Sequence, residues 1–374
     1  MGKVKFGFYF KIILVLGFVY LFLVSIGLMG EAFKGFGRDF AESLIKTTSH
    51  PFIGLFIGIL ATSIVQSSSM TTSIVVGMVG SGVITVTNAI PIIMGANIGT
   101  TVTNLLVSLG HIGRREEFRR AISAGSVHDF FNLICVAIFL PLQLLTNCLG
   151  RLAAWMSTVF NNWGGIEFTS PIKVFTKPAV HLIKNVIMKM NLAENISYVI
   201  VLISAFVILF LSLYFIVKIM RSVVMKRAEI VLNNIIAKYG YLAILAGAIF
   251  TTIVQSSSIT TSLMVPLAAA GVLTVEGVFP IVLGANIGTT TTAILASFAT
   301  GNISAITVAF VHFLFNVIGA CFIYPLKPIR KIPILLAKKL GDLAFRKRRY
   351  AVIYVLTLFF IIPGVLIAVS RFLK

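Results

Sequence analysis

Gln66-Ser67-Ser68-Ser69 and Gln255-Ser256-Ser257-Ser258 are the residues whose types and spacing most invite chemistry. Each tetrapeptide breaks an apolar stretch and is followed by more hydroxyls: Thr71, Thr72 and Ser73 in one, Thr260, Thr261 and Ser262 in the other. A glutamine amide, three hydroxyls and the free N–H groups of a new half-helix are neutral donors beside a positive helix end. That combination suits an anion. One such cluster in one membrane helix is better explained by hydroxyls bonding to the preceding turn or a neighbouring helix. Two clusters at corresponding positions favour binding.

A second repeated segment, Gly95-Ala96-Asn97-Ile98-Gly99-Thr100-Thr101, recurs from Gly284 to Thr290, with Pro91 or Pro280 four residues earlier. Glycines flanking an asparagine after a proline predict local unwinding of a helix. Freed carbonyls, the amide oxygens of Asn97 and Asn286 and the hydroxyls of Thr100 and Thr289 are hard oxygen ligands suited to Na⁺. The hydroxyls of Thr71 and Thr260 are counted with this set. The competing reading is a glycine-rich face for close helix packing. Neither copy is a nucleotide phosphate loop, since it has no lysine and no strand precedes it.

Asp129 lies just inside an apolar span, and its counterpart in the second copy is Phe313. A carboxylate there is expensive, so a cation or a wet cavity should accompany it. Sodium coordination is the preferred role; a proton site or a helix-end anchor is the alternative. His128 and His312 are read either as proton carriers or as packed neutral imidazoles. Asn132 and Asn316 follow one turn later and can face the same cavity. No lysine or arginine lies within these segments. A multiply charged anion would therefore be balanced by co-bound cations, which is a physical basis for coupling.

The elements that must position these groups are membrane helices. Of 374 residues, 58% are hydrophobic and 11% charged, and the mean hydropathy is +1.03; a soluble domain keeps roughly 25% charged. Ile12–Met29, Ile122–Leu145, Tyr198–Val217, Ala305–Leu326 and Ala351–Val369 are nearly uncharged and long enough for a ~30 Å hydrocarbon core. The net charge of +20 sits in short clusters between them: Lys3/Lys5/Lys11, Arg114/Arg115/Arg119/Arg120, Lys218/Arg221/Lys226/Arg227 and Lys327 to Arg349. Such clusters suit cytoplasmic loops facing anionic lipid head groups. Nucleic acid is disfavoured, because no basic stretch interleaves with exposed aromatics. The three cysteines form neither a disulfide framework nor a metal-ligand spacing. The basic-then-apolar N-terminus is read as a retained first helix rather than a cleaved signal. No feature of the sequence dictates an oligomeric state.

An internal duplication organises the chain. Thr62–Gly110 aligns without a gap on Thr251–Ala299 at an offset of 189 residues, with 27 of 49 positions identical. Val127-His128-Asp129-Phe130-Phe131-Asn132 recurs as Val311-His312-Phe313-Leu314-Phe315-Asn316. Four arginines follow the first GANIGTT segment and none follows the second. After the histidine helices the bias reverses, mildly charged in Cys148–Asn195 and strongly basic in Lys327–Arg349. The positive-inside rule then sets the two copies in opposite orientations, an inverted repeat. About 14 apolar residues precede each QSSS, too few to cross a bilayer, so each hairpin is expected to re-enter from the side it left.

The expected fold is an all-α polytopic membrane protein of two inverted-topology repeats, residues 1–190 and 191–374. Each carries a re-entrant helical hairpin (51–82, 240–271) and an interrupted transmembrane helix (83–109, 272–298). The first repeat adds helix 121–147 and an external segment 148–190. The second adds helix 303–326, a basic loop 327–349 and a C-terminal helix 351–371. The side of the C-terminus is ambiguous from charge, and a partial crossing near Ile332–Leu343 is one way to resolve it.

The paired QSSS motifs, GANIGTT, the Arg-rich loop before VHDFFN, Phe175-Thr176-Lys177-Pro178 running to His181-Leu182, and the second VHFLFN together resemble the type II sodium-dependent phosphate cotransporter family. The resemblance covers nearly the whole chain. It implies a prokaryotic, minimal member in the cell (inner) membrane, carrying inorganic phosphate with Na⁺ as coupling ion, with no cofactor and no enzymatic activity. Phosphate would lie between Gln66–Ser69 and Gln255–Ser258. In that family an aspartate at the position of Asp129 marks electrogenic members, and Asn132 is carried over as a sodium-site residue. Another oxyanion (sulfate, arsenate or a dicarboxylate) remains as an alternative cargo. An intramembrane serine hydrolase is a remote one, opposed by the missing GxSx turn and by the symmetric presentation of the serines.

Overall fold

The computed structural model describes residues 2–162, 171–190, 192–236 and 240–372, all helical or in short turns, with no strand among them. The side chains of Lys3, Lys5, Lys226 and Arg227 in the expected basic clusters lie outside the described set, as do residues 163–170 of the expected external segment and residue 191 at the expected repeat boundary. The first half runs α1 (Gly2–Gly35), α2 (Gly37–Thr48), α3 (Pro51–Val65), α4 (Ser68–Gly80), α5 (Val86–Gly99), α6 (Val102–Leu109), α7 (Arg115–Thr146), α8 (Cys148–Asn162) and α9 (Pro171–Met188). The second runs α10 (Glu194–Ile236), α11 (Gly240–Val254), α12 (Ser257–Ala269), α13 (Val275–Thr300), α14 (Ile303–Ile323), α15 (Lys327–Arg346) and α16 (Arg349–Leu356). A π-helical turn (Thr357–Ile361) joins α16 to α17 (Ile362–Phe372).

Among the described residues seven helices are long and apolar enough to cross a membrane: Tyr9–Gly35, Val86–Leu109, Arg115–Thr146, Glu194–Val223, Val275–Thr300, Ile303–Ile323 and Arg349–Ser370. Helices α2 and α3 meet at a sharp bend of 98°.

The breaks between α3 and α4 and between α11 and α12 fall on the QSSS motifs and are built alike. Gln66 and Gln255 adopt left-handed backbone, φ 55° and 58°, a conformation costing roughly 1–2 kcal/mol for a residue with a side chain. Their N–H groups close the preceding helix on Thr62 and Thr251 carbonyls, both at 2.7 Å. Ser67 and Ser256 then cap the next helix, accepting from the Met70 N–H at 3.3 Å and the Ile259 N–H at 3.4 Å. Each cap satisfies one orphan donor.

Glycines weld each hairpin to the following helix. A Cβ at Gly58 would collide with the Ile92 carbonyl, and one at Gly95 with the Leu55 carbonyl; in the second half Gly284 and Gly288 abut the Ile244 and Ala248 carbonyls. Small residues permit such backbone-to-backbone approach between membrane helices. Here the structure corrects the sequence reading. The second GANIGTT segment is not interrupted, because α13 runs unbroken from Val275 to Thr300. In the first copy the break shrinks to Thr100 and Thr101, whose N–H groups still reach Ala96 and Ile98 carbonyls. Packing consumes these glycines, so few backbone carbonyls are freed; the close-packing reading holds.

Two ends of the molecule are marked by contacts between the halves. At one, Gly80 abuts Thr300 and Asn302 donates to the Gly80 carbonyl at 3.0 Å. At the other, Gly271 abuts Arg120 and Arg119 pairs with Asp342 at 3.3 Å, while Lys338 pairs with Glu276 within the second half at 2.6 Å. Helix α15 lies along α7 at this second end, and Arg348 reaches the Gly113 carbonyl.

Candidate functional site

Asp129 on α7 is fully buried. Thr101 Oγ1 lies 3.2 Å from one carboxylate oxygen and the Tyr354 hydroxyl donates to the other. The single Thr101 proton also has the Ile98 carbonyl within 2.7 Å, so Tyr354 is the dependable donor. No lysine or arginine pairs with Asp129 among the described residues, whose ion pairs lie elsewhere. An unpaired carboxylate in such a place has its charge compensated by few donors, which makes it receptive to a small cation.

One turn along, a chain of amides crosses the interior. Asn132 Nδ2 donates to the Asn97 carbonyl at 2.8 Å, and Asn286 Nδ2 donates to Asn132 Oδ1 at 2.9 Å. Asn286 Oδ1 must then accept, and His128 Nε2 meets it at 2.5 Å. On the far side of the ring, Nδ1 lies 3.4 Å from Asn104 Nδ2, whose Oδ1 accepts from Thr261 at 2.7 Å and Ser262 at 3.3 Å. Every donor therefore has an acceptor only if His128 is the neutral Nε2–H tautomer. The chain ties α12 to α6, α7, α13 and α5.

The remaining expected ligands are less free. Thr100 and Thr289 bond back to the Ala96 and Ala285 carbonyls, both at 2.9 Å, and Asn97 Nδ2 bonds back to Ile93 at 3.0 Å. Thr71 bonds to Ser67 O at 3.3 Å, whereas Thr260 lies 2.6 Å from the Thr251 hydroxyl and 3.2 Å from Ser256 O. Asn132, Asn97 and Asn286 are thus brought together, Asp129 sits one turn from them, and the hydroxyls of Thr71 and Thr260 belong to the hairpin turns.

At those turns Ser68, Ser69 and Ser257 are buried, with Ser67, Ser256 and Ser258 partly so. The first N–H groups of α4 and α12 have no intrahelical acceptor. Gln255 is fixed, donating to Thr252 O at 2.5 Å and accepting from Thr292 at 2.8 Å; Gln66 is exposed. No hydrogen bond joins the two QSSS turns among the described residues. Neither histidine meets a serine hydroxyl: the ring nitrogens of His128 are occupied by amides and those of His312 have no partner. That geometry lacks the base of a serine nucleophile.

Lys184, on α9 outside the spans, bonds to Glu31 in the last turns of α1 at 2.7 Å, and that carboxylate holds the ammonium above its usual range.

Sequence reasoning named Thr101 and Thr261 only as members of their motifs, and missed Tyr354 and Asn104. Asn104 carried a signal, an amide in an apolar helix whose counterpart in the other copy is Ala293. Tyr354 carried none, since its reach to Asp129 depends on how the C-terminal helix packs.

Helices long enough to span a bilayer, enclosing buried amides around an unpaired carboxylate, define a polytopic membrane protein with a polar interior. The Na+/Pi-cotransporter family profile matches residues 21–161 and 208–326, and the chain belongs to that family. It is 37% identical to sodium-dependent phosphate transport protein 2B of Homo sapiens over 94% of this chain and 64% of that one. The Pongo abelii 2B protein matches at 37% with the same coverage, and the Rattus norvegicus 2A protein at 36% over 96% of this chain and 68% of its own. The chain thus spans 64% of the length of the 2B relatives. No solved structure matches it significantly.

Proposed function

We propose that this protein is a secondary active symporter that takes up inorganic phosphate with Na⁺ by alternating access. The observation that carries the reading is the 36–37% identity, over 94–96% of the chain, to proteins named as sodium-dependent phosphate transporters. The site is compatible with it. Phosphate is assigned to the donors of Gln66–Ser69 and Gln255–Ser258. Sodium is assigned to Asp129 and Asn132, with Asn97, Asn286, Thr71 and Thr260 as further candidates and Thr100 and Thr289 requiring release from their own helices. Transport is taken to be electrogenic because Asp129 fills the position at which an aspartate marks electrogenic members of the family it resembles.

The repeats, 1–190 and 191–374, are proposed to be inverted. In support, α4 ends at Gly80, which meets Thr300 at the close of α13, while α12 gives way to Gly271, which meets Arg120 near the start of α7. Each hairpin would then re-enter from a different face, with the arginine-bearing end in the cytoplasm against anionic lipid and the protein in the cell (inner) membrane.

Purified protein in liposomes should accumulate labelled phosphate only under an inward sodium gradient. Equal uptake driven by protons alone would refute the coupling. Competition by sulfate, arsenate or a dicarboxylate in the same vesicles ranks the cargo; stronger inhibition by any of these than by phosphate would reassign it.

A further inference from the structure

Six buried side-chain polar atoms in the described residues have no hydrogen-bond partner: Thr62 Oγ1, Thr103 Oγ1, His312 Nδ1 and Nε2, Asn316 Oδ1 and Ser212 Oγ. Ser212 aside, the five atoms belong to four residues whose counterparts in the other copy are all bonded. Thr251, the counterpart of Thr62, meets Thr260 at 2.6 Å. Thr292, that of Thr103, donates to Gln255 at 2.8 Å. His128 is bonded at both nitrogens. Asn132 Oδ1, the counterpart of Asn316 Oδ1, accepts from Asn286 at 2.9 Å. Native interiors leave few such atoms unpaired, and each carries its full desolvation penalty.

The missing partners are also present, and idle. Gln66 corresponds to Gln255 and makes no side-chain hydrogen bond among the described residues. Thr71 corresponds to Thr260 and bonds only to its own helix. Asn97 corresponds to Asn286, and its amide is turned back on Ile93. Helix α14, which carries His312 and Asn316, packs against α5, which carries Asn97. One set is made and its twin is unmade in a single conformation.

We infer that Thr62, Thr103, His312 and Asn316 are positioning residues of the transport cycle. In this conformation Thr251–Thr260, Gln255–Thr292 and His128–Asn286–Asn132 are closed. In the opposite one Thr62–Thr71, Gln66–Thr103 and His312–Asn97–Asn316 close, and the first set opens. Exchange of equivalent bonds keeps the two conformations close in energy, as a reversible cycle needs. The inference rests on the inverted-repeat symport reading, and adds to it which bonds hold each state.

Amide hydrogen exchange of protein in lipid nanodiscs, without sodium or phosphate, tests it independently of any cargo. Thr292→Val should raise exchange in residues 251–262 and lower it in residues 62–73, because a population moves rather than one site loosening. Thr251→Val should give the same pattern and serves if the first variant does not fold. Thr103→Val and Thr62→Val delete hydroxyls that are idle here. They should shift apo exchange the opposite way, lowering it in residues 251–262 and raising it in residues 62–73, and slow liposome uptake by about tenfold, the worth of one bond to the opposite state. Exchange that rises in 251–262 with no fall in 62–73 overturns the inference, as does uptake at the wild-type rate in both idle-side variants. Wild-type protein that binds no phosphate in sodium would instead overturn the symport reading, leaving the exchange result interpretable.

Discussion

Replacing Asn104 with alanine, the residue the second copy carries at Ala293, removes the hub that joins His128 to the second hairpin. Its three partners differ in what they can do next. Thr261 has Ser257 O at 2.9 Å as a second acceptor, and Ser262 is only partly buried. His128 Nδ1 has no other donor and is left as a buried, unsatisfied acceptor. That desolvation amounts to about 1–3 kcal/mol, and the lost Thr261 bond adds about 0.5–1.5 kcal/mol. The sum, about 1.5–4.5 kcal/mol, corresponds to a change of roughly 10- to 1,600-fold in the folding equilibrium. An ordinary interhelical hydrogen bond in a membrane protein is worth only about 0.6 kcal/mol, because its partners find substitutes. Detergent-titrated unfolding of the wild type, Asn104→Ala, His128→Leu and the double variant measures both the loss and its coupling. An Asn104→Ala loss near 0.6 kcal/mol, or additivity of the two single changes within about 0.5 kcal/mol, would refute the hub.

Asp129→Gly should abolish net charge movement in proteoliposomes while leaving some phosphate uptake; an unchanged current sinks the role given to this carboxylate. Ser67→Ala and Ser256→Ala each remove a helix cap worth about 0.5–2 kcal/mol and an anion donor, so the KM for phosphate should rise about tenfold; an unaltered KM in both would move the anion elsewhere. Gly284→Ala drives a methyl into the Ile244 carbonyl and to 2.7 Å from the Ala248 nitrogen, where backbone cannot step aside. It should destabilise by about 1–3 kcal/mol or more. Gly17→Ala, with nothing within 4 Å of the new methyl, is the control, and equal melting temperatures for the two variants would contradict the packing.

Much of this was legible from residues alone, for reasons that differ by element. The breaks at Gln66 and Gln255 were visible because a polar run inside an apolar one has few places to go in a membrane. The spans followed from length and hydropathy. The interrupted helices did not follow: Gly95, Gly99, Gly284 and Gly288 look the same in sequence whether they unwind a helix or let another helix touch it, and only the partner decides. Asp129 could be singled out by its cost, but not its contact with Tyr354, 225 residues away. The unequal bonding of the two copies was invisible too, since His128 and His312 both stand in a Val-His-x-x-Phe-Asn run and only the helices packed around them decide which ring finds partners.

The direct contact of backbone on backbone between α3 and α5, and between α11 and α13, has a mechanical consequence. Sliding of one helix over another proceeds by side chains hopping between alternative interdigitations. Where a glycine Cα rests on a carbonyl there is no side chain to hop, so each hairpin and its following helix form a rigid lever. Strain applied at a QSSS turn is then passed whole along some four helical turns to the far face of the protein.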